Sequence, residues 1–258
     1  MPENINTRPN RRCLMKSLVE FHPTRREFIK KGGILMASAA ALQTDVAFSL
    51  AAPPIEGKEP EEKKGEEVSP GEDLMREHGV LARILLIYDD ISMRLERNIK
   101  YPPEVLTSAA ALIRRFVEDY HEKLEEDYIF PRFEKTGKLV DLVKILLQQH
   151  QAGRRLTERI KNFSSLPAPN AREKKGLIQC LGLFSRMYRP HKSREDTVLF
   201  PAFHSIVSPK EYDSLGEKFE DKENELFGEH GFEKVVEEVT ALEKSLGIYE
   251  LSQFTAKG

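Results

Sequence analysis

A thirteen-residue pattern occurs twice in this chain, and it constrains the fold more than any other feature. The first copy reads His121-x-x-x-Glu125-Glu126-x-x-x-Phe130-Pro131-x-Phe133. The second reads His191-x-x-x-Glu195-Asp196-x-x-x-Phe200-Pro201-x-Phe203, with every matched position at the same spacing. In an α-helix, residues four apart stand one above the other on one face. Each copy therefore presents an imidazole and a carboxylate to the same neighbour. One such pair is common on a protein surface, but a matched pair of long patterns implies two helices of one design.

Two further histidines complete the symmetry. Glu77-His78 and Gln149-His150 each lead by five positions an Arg followed by an aliphatic residue, Arg83-Ile84 and Arg155-Leu156. His78 precedes His121 by 43 residues and His150 precedes His191 by 41. The chain thus reads as two helical hairpins, each giving one His from its first helix and His-x-x-x-Glu from its second. Helical periodicity and turn signals place helices at 72–99, 103–134, 138–162 and 171–206, then a shorter pair at 209–227 and 229–246. Tyr101-Pro102-Pro103, Gly137 and the 164–170 stretch separate the long ones. In the first, Leu74, Val80, Leu81, Ile84, Leu85, Tyr88, Ile91 and Leu95 make an apolar stripe. Short connections predict an all-α, up-down-up-down four-helix bundle over residues 72–206. Residues 207–258 form an extra helical extension that either covers the bundle's open end or mediates association. Pro131, Pro190 and Pro201 fall within helical patterns and should kink them unless the helix ends there.

Four histidines and two glutamates buried in an apolar bundle are costly without a partner, and a metal satisfies them. Imidazole nitrogen with carboxylate oxygen and no thiolate suits iron or manganese, and can accept zinc. Two carboxylates set symmetrically between two histidine pairs are suited to bridging two ions. The order His then Glu at four residues differs from the Glu-x-x-His of ferritin-like bundles. His121-Glu122-Lys123-Leu124 starts like a zinc-protease motif, but Glu125 stands where its second His belongs.

With these residues the chain resembles the hemerythrin-like family of cation-binding domains, from about Glu72 to Phe203. The resemblance implies metal ligation by His78, His121, Glu125, His150, His191 and Glu195, with two irons per chain. The family's oxygen carriers use a second His on the third helix, four residues after the first. Here that position is Arg154, which removes a terminal ligand, opens a coordination position, and argues against reversible oxygen carriage. It also leaves a mononuclear or differently ligated site open. Glu126 and Asp196 could be alternate ligands, partners of ligand imidazoles or a solvated edge. His204 lies too far along its helix to share the cluster, and Glu229-His230 reads as the start of a helix.

Residues 1–51 resemble a twin-arginine signal: Thr24-Arg25-Arg26-Glu27-Phe28-Ile29-Lys30 leads into an alanine-rich apolar stretch. Residues 52–71, rich in Pro, Gly, Glu and Lys, read as a disordered linker. The expected location is periplasmic or otherwise extracytoplasmic, reached through the twin-arginine export machinery, with an anchored form if the signal stays uncleaved. Cys13 and Cys180 are the only cysteines, so removal of the signal leaves no internal disulfide. A formal charge of −2 without a basic face excludes nucleic acid as a partner. No nucleophile or general-base constellation accompanies the site, so any reaction would be metal-centred redox chemistry. The leading expectation is an exported di-iron protein that binds or senses dioxygen, nitric oxide or peroxide. The alternatives are a ferroxidase- or peroxidase-like oxidoreductase, which would need an electron-transfer partner, and metal storage or a structural metal. Oligomeric state is left open.

Overall fold

The computed structural model describes residues 68–166 and 169–256. The proposed signal and most of the linker lie outside the described residues. Among the described residues every regular element is helical, as the periodicity predicts. No helix among them is long and apolar enough to cross a membrane.

Four long helices make the core: α1 (Pro70–Glu96), α2 (103–136), α3 (Val140–Ser164) and α4 (171–204). Ser69 caps α1, its hydroxyl accepting from the Glu72 N–H, and Pro70 occupies the first turn. Asn98 in the left-handed region stops the path after α1, so the helix ends short of the expected 99. Gly137, at φ 70°, ends α2, where a residue without Cβ adopts that conformation freely. Asn170 and Glu173 form a reciprocal capping box at the start of α4. α1 packs against α2 and α4, and α3 packs against the same two helices. The predicted α1 stripe is buried from Leu74 to Ile91, with Leu95 partly covered at its end. Cys180 is buried in the same core as a free thiol.

The helices do not end at the prolines. α2 and α4 continue through Pro131 and Pro201, and each proline follows a five-residue π turn, Glu125–Ile129 and Glu195–Leu199. In each turn an amide bonds five residues back, Phe130 to the Glu125 carbonyl and Phe200 to that of Glu195. The wider turn takes up an extra residue just where proline lacks an N–H and crowds the preceding carbonyl. A longer π stretch, Ile113–His121, occurs in α2 alone. Pro190 lies inside the α-helical run Ala171–Arg194.

The extension forms α5 (Pro209–Phe227) and α6 (Gly231–Leu246), and both lie along α1 and α2. Phe227 meets the Phe116 and Tyr120 rings at 5.7 and 5.4 Å. Arg83 of α1 pairs with Glu243 at 2.5 Å and donates to Thr240 at 2.7 Å. His230 sits at the start of α6 with left-handed backbone, in keeping with a helix-start role.

Candidate metal centre

All six sequence-predicted residues come together between the four helices, and all six are buried. His78 and His121 face each other with their Nε2 atoms 3.0 Å apart. His150 and His191 form the matching pair, ring centroids 5.0 Å apart. The two glutamates lie between the pairs. Glu195 Oε2 is 3.2 Å from His191 Nε2 and 3.4 Å from His78 Nε2. Glu125 approaches His150 Nε2 at 3.4 Å and His121 Nε2 at 3.7 Å. Each carboxylate therefore spans one histidine of its own hairpin and one of the other. The groupings His78–His121–Glu125 and His150–His191–Glu195 are each compact enough to hold an ion.

Every histidine turns Nε2 inward and uses Nδ1 for an outer partner. His121 Nδ1 bonds Glu77 at 2.7 Å, and His191 Nδ1 bonds Gln149 at 2.9 Å. His78 Nδ1 bonds Asp196 at 2.6 Å, and His150 Nδ1 bonds Glu126 at 3.1 Å. Such bonds fix ring orientation and tautomer, and a carboxylate partner raises the basicity of the inward nitrogen. Phe200 stacks on His78 and Phe130 on His150, at 5.6 and 5.5 Å and the same 24° tilt. Glu126 and Asp196 are thus partners of the clustered imidazoles, each reaching across to the opposite hairpin. The roles of Glu77 and Gln149 escaped the sequence reading. Their signal was present in the matched dipeptides, a long acceptor just before the first-helix His in both hairpins. His204 stands edge-on to Tyr212, and neither it nor His230 joins a ligand group.

The family model for the hemerythrin HHE cation-binding domain matches residues 69–204. The chain belongs to this family. It is also similar to Uncharacterized protein Rv1995 of Mycobacterium tuberculosis and Uncharacterized protein Mb2018 of Mycobacterium bovis. Each is 46% identical over 225 residues, covering 86% of this chain and 88% of the relative. That similarity extends beyond the HHE domain itself. No solved structure gives a significant match.

The donor atoms of the HHE domain fit a cation on two grounds. Both oxygens of Glu125, both of Glu195 and His150 Nε2 are buried without a hydrogen-bond partner, a costly arrangement for carboxylates. The set is imidazole and carboxylate only, which suits iron or manganese and tolerates zinc. Charge within the centre is correspondingly polarised. Burial pushes Glu125 well above the usual carboxylate range, and Glu195 adds to the shift. Burial acts on Glu195 in the same direction, but His191 and His78 outweigh it and hold that carboxyl low. For His78, burial is overcome by Asp196 and Glu195, which raise it to about 9. His150 is depressed to about 4, by burial first and by His191. His121 is also lowered, by burial and by His78, against the pull of Glu77.

Arg154, where the family's oxygen carriers have a second third-helix His, pairs with carboxylates beside the cluster. Its guanidinium lies 2.8 Å from both Glu122 and Glu126. Glu122, Glu126 and His150 could by position form a third ion site, but Arg154 already supplies positive charge to both carboxylates. It helps hold Glu126 at about 2, against burial and together with His150 and Lys123. Glu122 also accepts from the Tyr188 hydroxyl at 2.6 Å, and burial raises its carboxyl to about 8. Tyr188 in turn lies against Gly153, where a Cβ would fall 1.9 Å from its hydroxyl oxygen.

Proposed function

We propose that this chain is an exported non-haem di-iron protein that binds or senses dioxygen or a related small oxidant such as nitric oxide or peroxide. The observation that carries the reading is the convergence of four imidazoles on two carboxylates whose four oxygens are buried without a hydrogen bond. In this reading His78 and His121 hold one ion, His150 and His191 the other, and Glu125 and Glu195 join them. Iron in such a set supplies a redox-active Lewis-acid centre for a small ligand. The chain's own residues do the rest. Glu77, Asp196, Glu126 and Gln149 orient the imidazoles, while Phe130, Phe200 and the apolar core keep bulk water away. Among the described residues no separate nucleophile or general-base constellation accompanies the six, and the reading leans toward binding.

A second reading, a ferroxidase- or peroxidase-like oxidoreductase working with an electron-transfer partner, draws on Arg154. With that position unavailable to the centre, the His150/His191 half has fewer donors than an oxygen carrier would place there. The reading also includes an up-down-up-down bundle over 72–206 and twin-arginine export, supported by Thr24–Lys30. Replacing Arg25 and Arg26 with lysine should trap the precursor in the cytoplasm.

The test is metal analysis and optical spectroscopy on protein purified without oxygen and then exposed to it. Two irons per chain and a reversible charge-transfer band support binding, whereas turnover with irreversible oxidation supports the enzyme. One spectroscopically silent zinc per chain overturns both. His121→Ala and His191→Ala should each abolish loading, and unchanged loading would refute the ligand set.

A further inference from the structure

The two halves of the centre are related by the repeat and all four histidines are buried, yet the positions flanking them differ in exposure. On the first hairpin Leu74, Glu77, Tyr120 and Leu124 are all buried. They are closed off by α5, whose Phe227 packs edge-on against Tyr120 at 5.4 Å and whose Phe219 packs against Tyr128 at 5.8 Å. The corresponding positions on the second hairpin are Leu146, Gln149, Pro190 and Arg194. There Pro190 and Arg194 are exposed and Gln149 is half-buried. A cavity of about 450 Å³ opens between α3 and α4, with His191 and Gln149 in its wall. Leu139, at the start of α3, is held in the left-handed region and lines the same cavity. A non-glycine residue kept there marks a place where the surroundings override local preference.

A second difference is independent of shape. The outer partners on the first pair are two carboxylates, Glu77 for His121 and Asp196 for His78. On the second pair, His191 has the neutral amide of Gln149. The partner of His150, Glu126, is shared with Arg154 at 2.8 Å and Lys123 at 2.5 Å. Imidazoles backed by carboxylates donate more strongly. An ion held by His150 and His191 is therefore the more electron-poor of the two.

We propose that the cavity between α3 and α4 is the entrance to the centre, that Gln149 is its gate, and that the His150/His191 half receives the incoming ligand. Its wall is mainly apolar, with Leu142, Ile145, Leu146 and Val198, and carries the one guanidinium of Arg194. That chemistry suits a small neutral or singly negative molecule. The proposal rests on the small-ligand reading above and gives it a direction of approach.

The experiment uses the full iron-loaded chain and azide as probe, with association followed by stopped-flow absorbance. Ile145→Trp, which fills the cavity, should slow azide association about tenfold at unchanged iron content. Met75→Trp, in the separate cavity beside Phe200 and Tyr212, should leave the rate within about twofold. Gln149→Ala, which enlarges the opening and creates no bulk, should speed association several-fold. Uptake of Co²⁺ by the metal-free chain is a second readout that needs a path but no oxidant chemistry, and Ile145→Trp should slow it too. If azide fails to bind the iron-loaded wild type while Ile145→Trp still slows cobalt uptake, the small-ligand reading falls and the entrance stands. If azide binds but its rate ignores both Ile145→Trp and Gln149→Ala, or Met75→Trp slows it equally, the entrance is overturned.

Discussion

Replacing Gly153 with alanine should destabilise the chain, although the usual rule points the other way. Gly153 lies inside α3, where alanine is ordinarily favoured by about 1 kcal/mol. A Cβ at this position would lie 1.9 Å from the Tyr188 hydroxyl oxygen and 2.7 and 2.9 Å from two ring carbons. The ring cannot swing away without loss. It is fully enclosed, bonded to Glu122 at 2.6 Å and packed edge-on against His191 at 5.2 Å. Separating two buried polar groups costs about 1–3 kcal/mol, and forcing bulk into a filled core costs about 1–3 kcal/mol more. After the helix-propensity gain, a net loss of about 1–5 kcal/mol remains. For a folded region of this size that is a fall in Tm of roughly 2–20 °C. Thermal unfolding by circular dichroism on metal-loaded protein measures it. Gly79→Ala and Gly182→Ala are the controls, because nothing lies within 4 Å of a Cβ at either place; both should be neutral or slightly stabilising. A Gly153→Ala variant that melts with them, at or above the parent temperature, would refute the packing argument. Adding Tyr188→Leu to Gly153→Ala should recover part of the loss.

Further outcomes are expected at neighbouring positions. Arg154→Met removes the cation that Glu122 and Glu126 share, leaving Lys123 on Glu126 alone, and should cost about 3 kcal/mol, read as a lower denaturant midpoint. Glu122 has its carboxyl raised by burial to about 8 from 4.5. Its contribution to stability is complete below 4.5 and is lost as pH climbs through 8. The Tm of the parent minus that of Glu122→Gln should therefore decrease from pH 5 to pH 9, and a difference that increases with pH would contradict the burial. Glu77→Gln makes the outer partner of His121 match that of His191, and should weaken metal affinity about tenfold by competition with a chelator. Phe227→Ala removes the half-buried ring covering Tyr120 and should cost about 2 kcal/mol, measured by chemical denaturation.

The repeat was readable because helical spacing ties residue number directly to face. His121 with Glu125 and His191 with Glu195 needed only one turn of α-helix to be placed side by side. Other features needed facts that the linear chain does not carry. Glu126 and Asp196 bond histidines of the opposite hairpin, so their role depends on which helices become neighbours. The amphipathic pattern of 209–246 indicates that α5 and α6 must bury a face, but it does not say against what; the structure answers with α1 and α2. Pro131 and Pro201 mark a disturbance in the helix. Whether that becomes a kink, an end or a π turn is decided by packing, here the seating of Phe130 on His150 and Phe200 on His78. Arg154 was recognised as a departure from the family's oxygen carriers, whereas its grip on Glu122 and Glu126 became visible only with the helices assembled.

The exchange of outer partners between hairpins also has a mechanical meaning. His78 leans on Asp196 and His150 leans on Glu126, so each hairpin completes its own half only by borrowing from the other. The seam between them is a clasp with two reciprocal hooks. Parting it would disarm both halves together, and neither hairpin could keep a finished cradle while its twin swung free. If the proposed pair of ions is bound, release of one and opening of the seam should thus be a single all-or-none event, with no half-emptied species accumulating along the way.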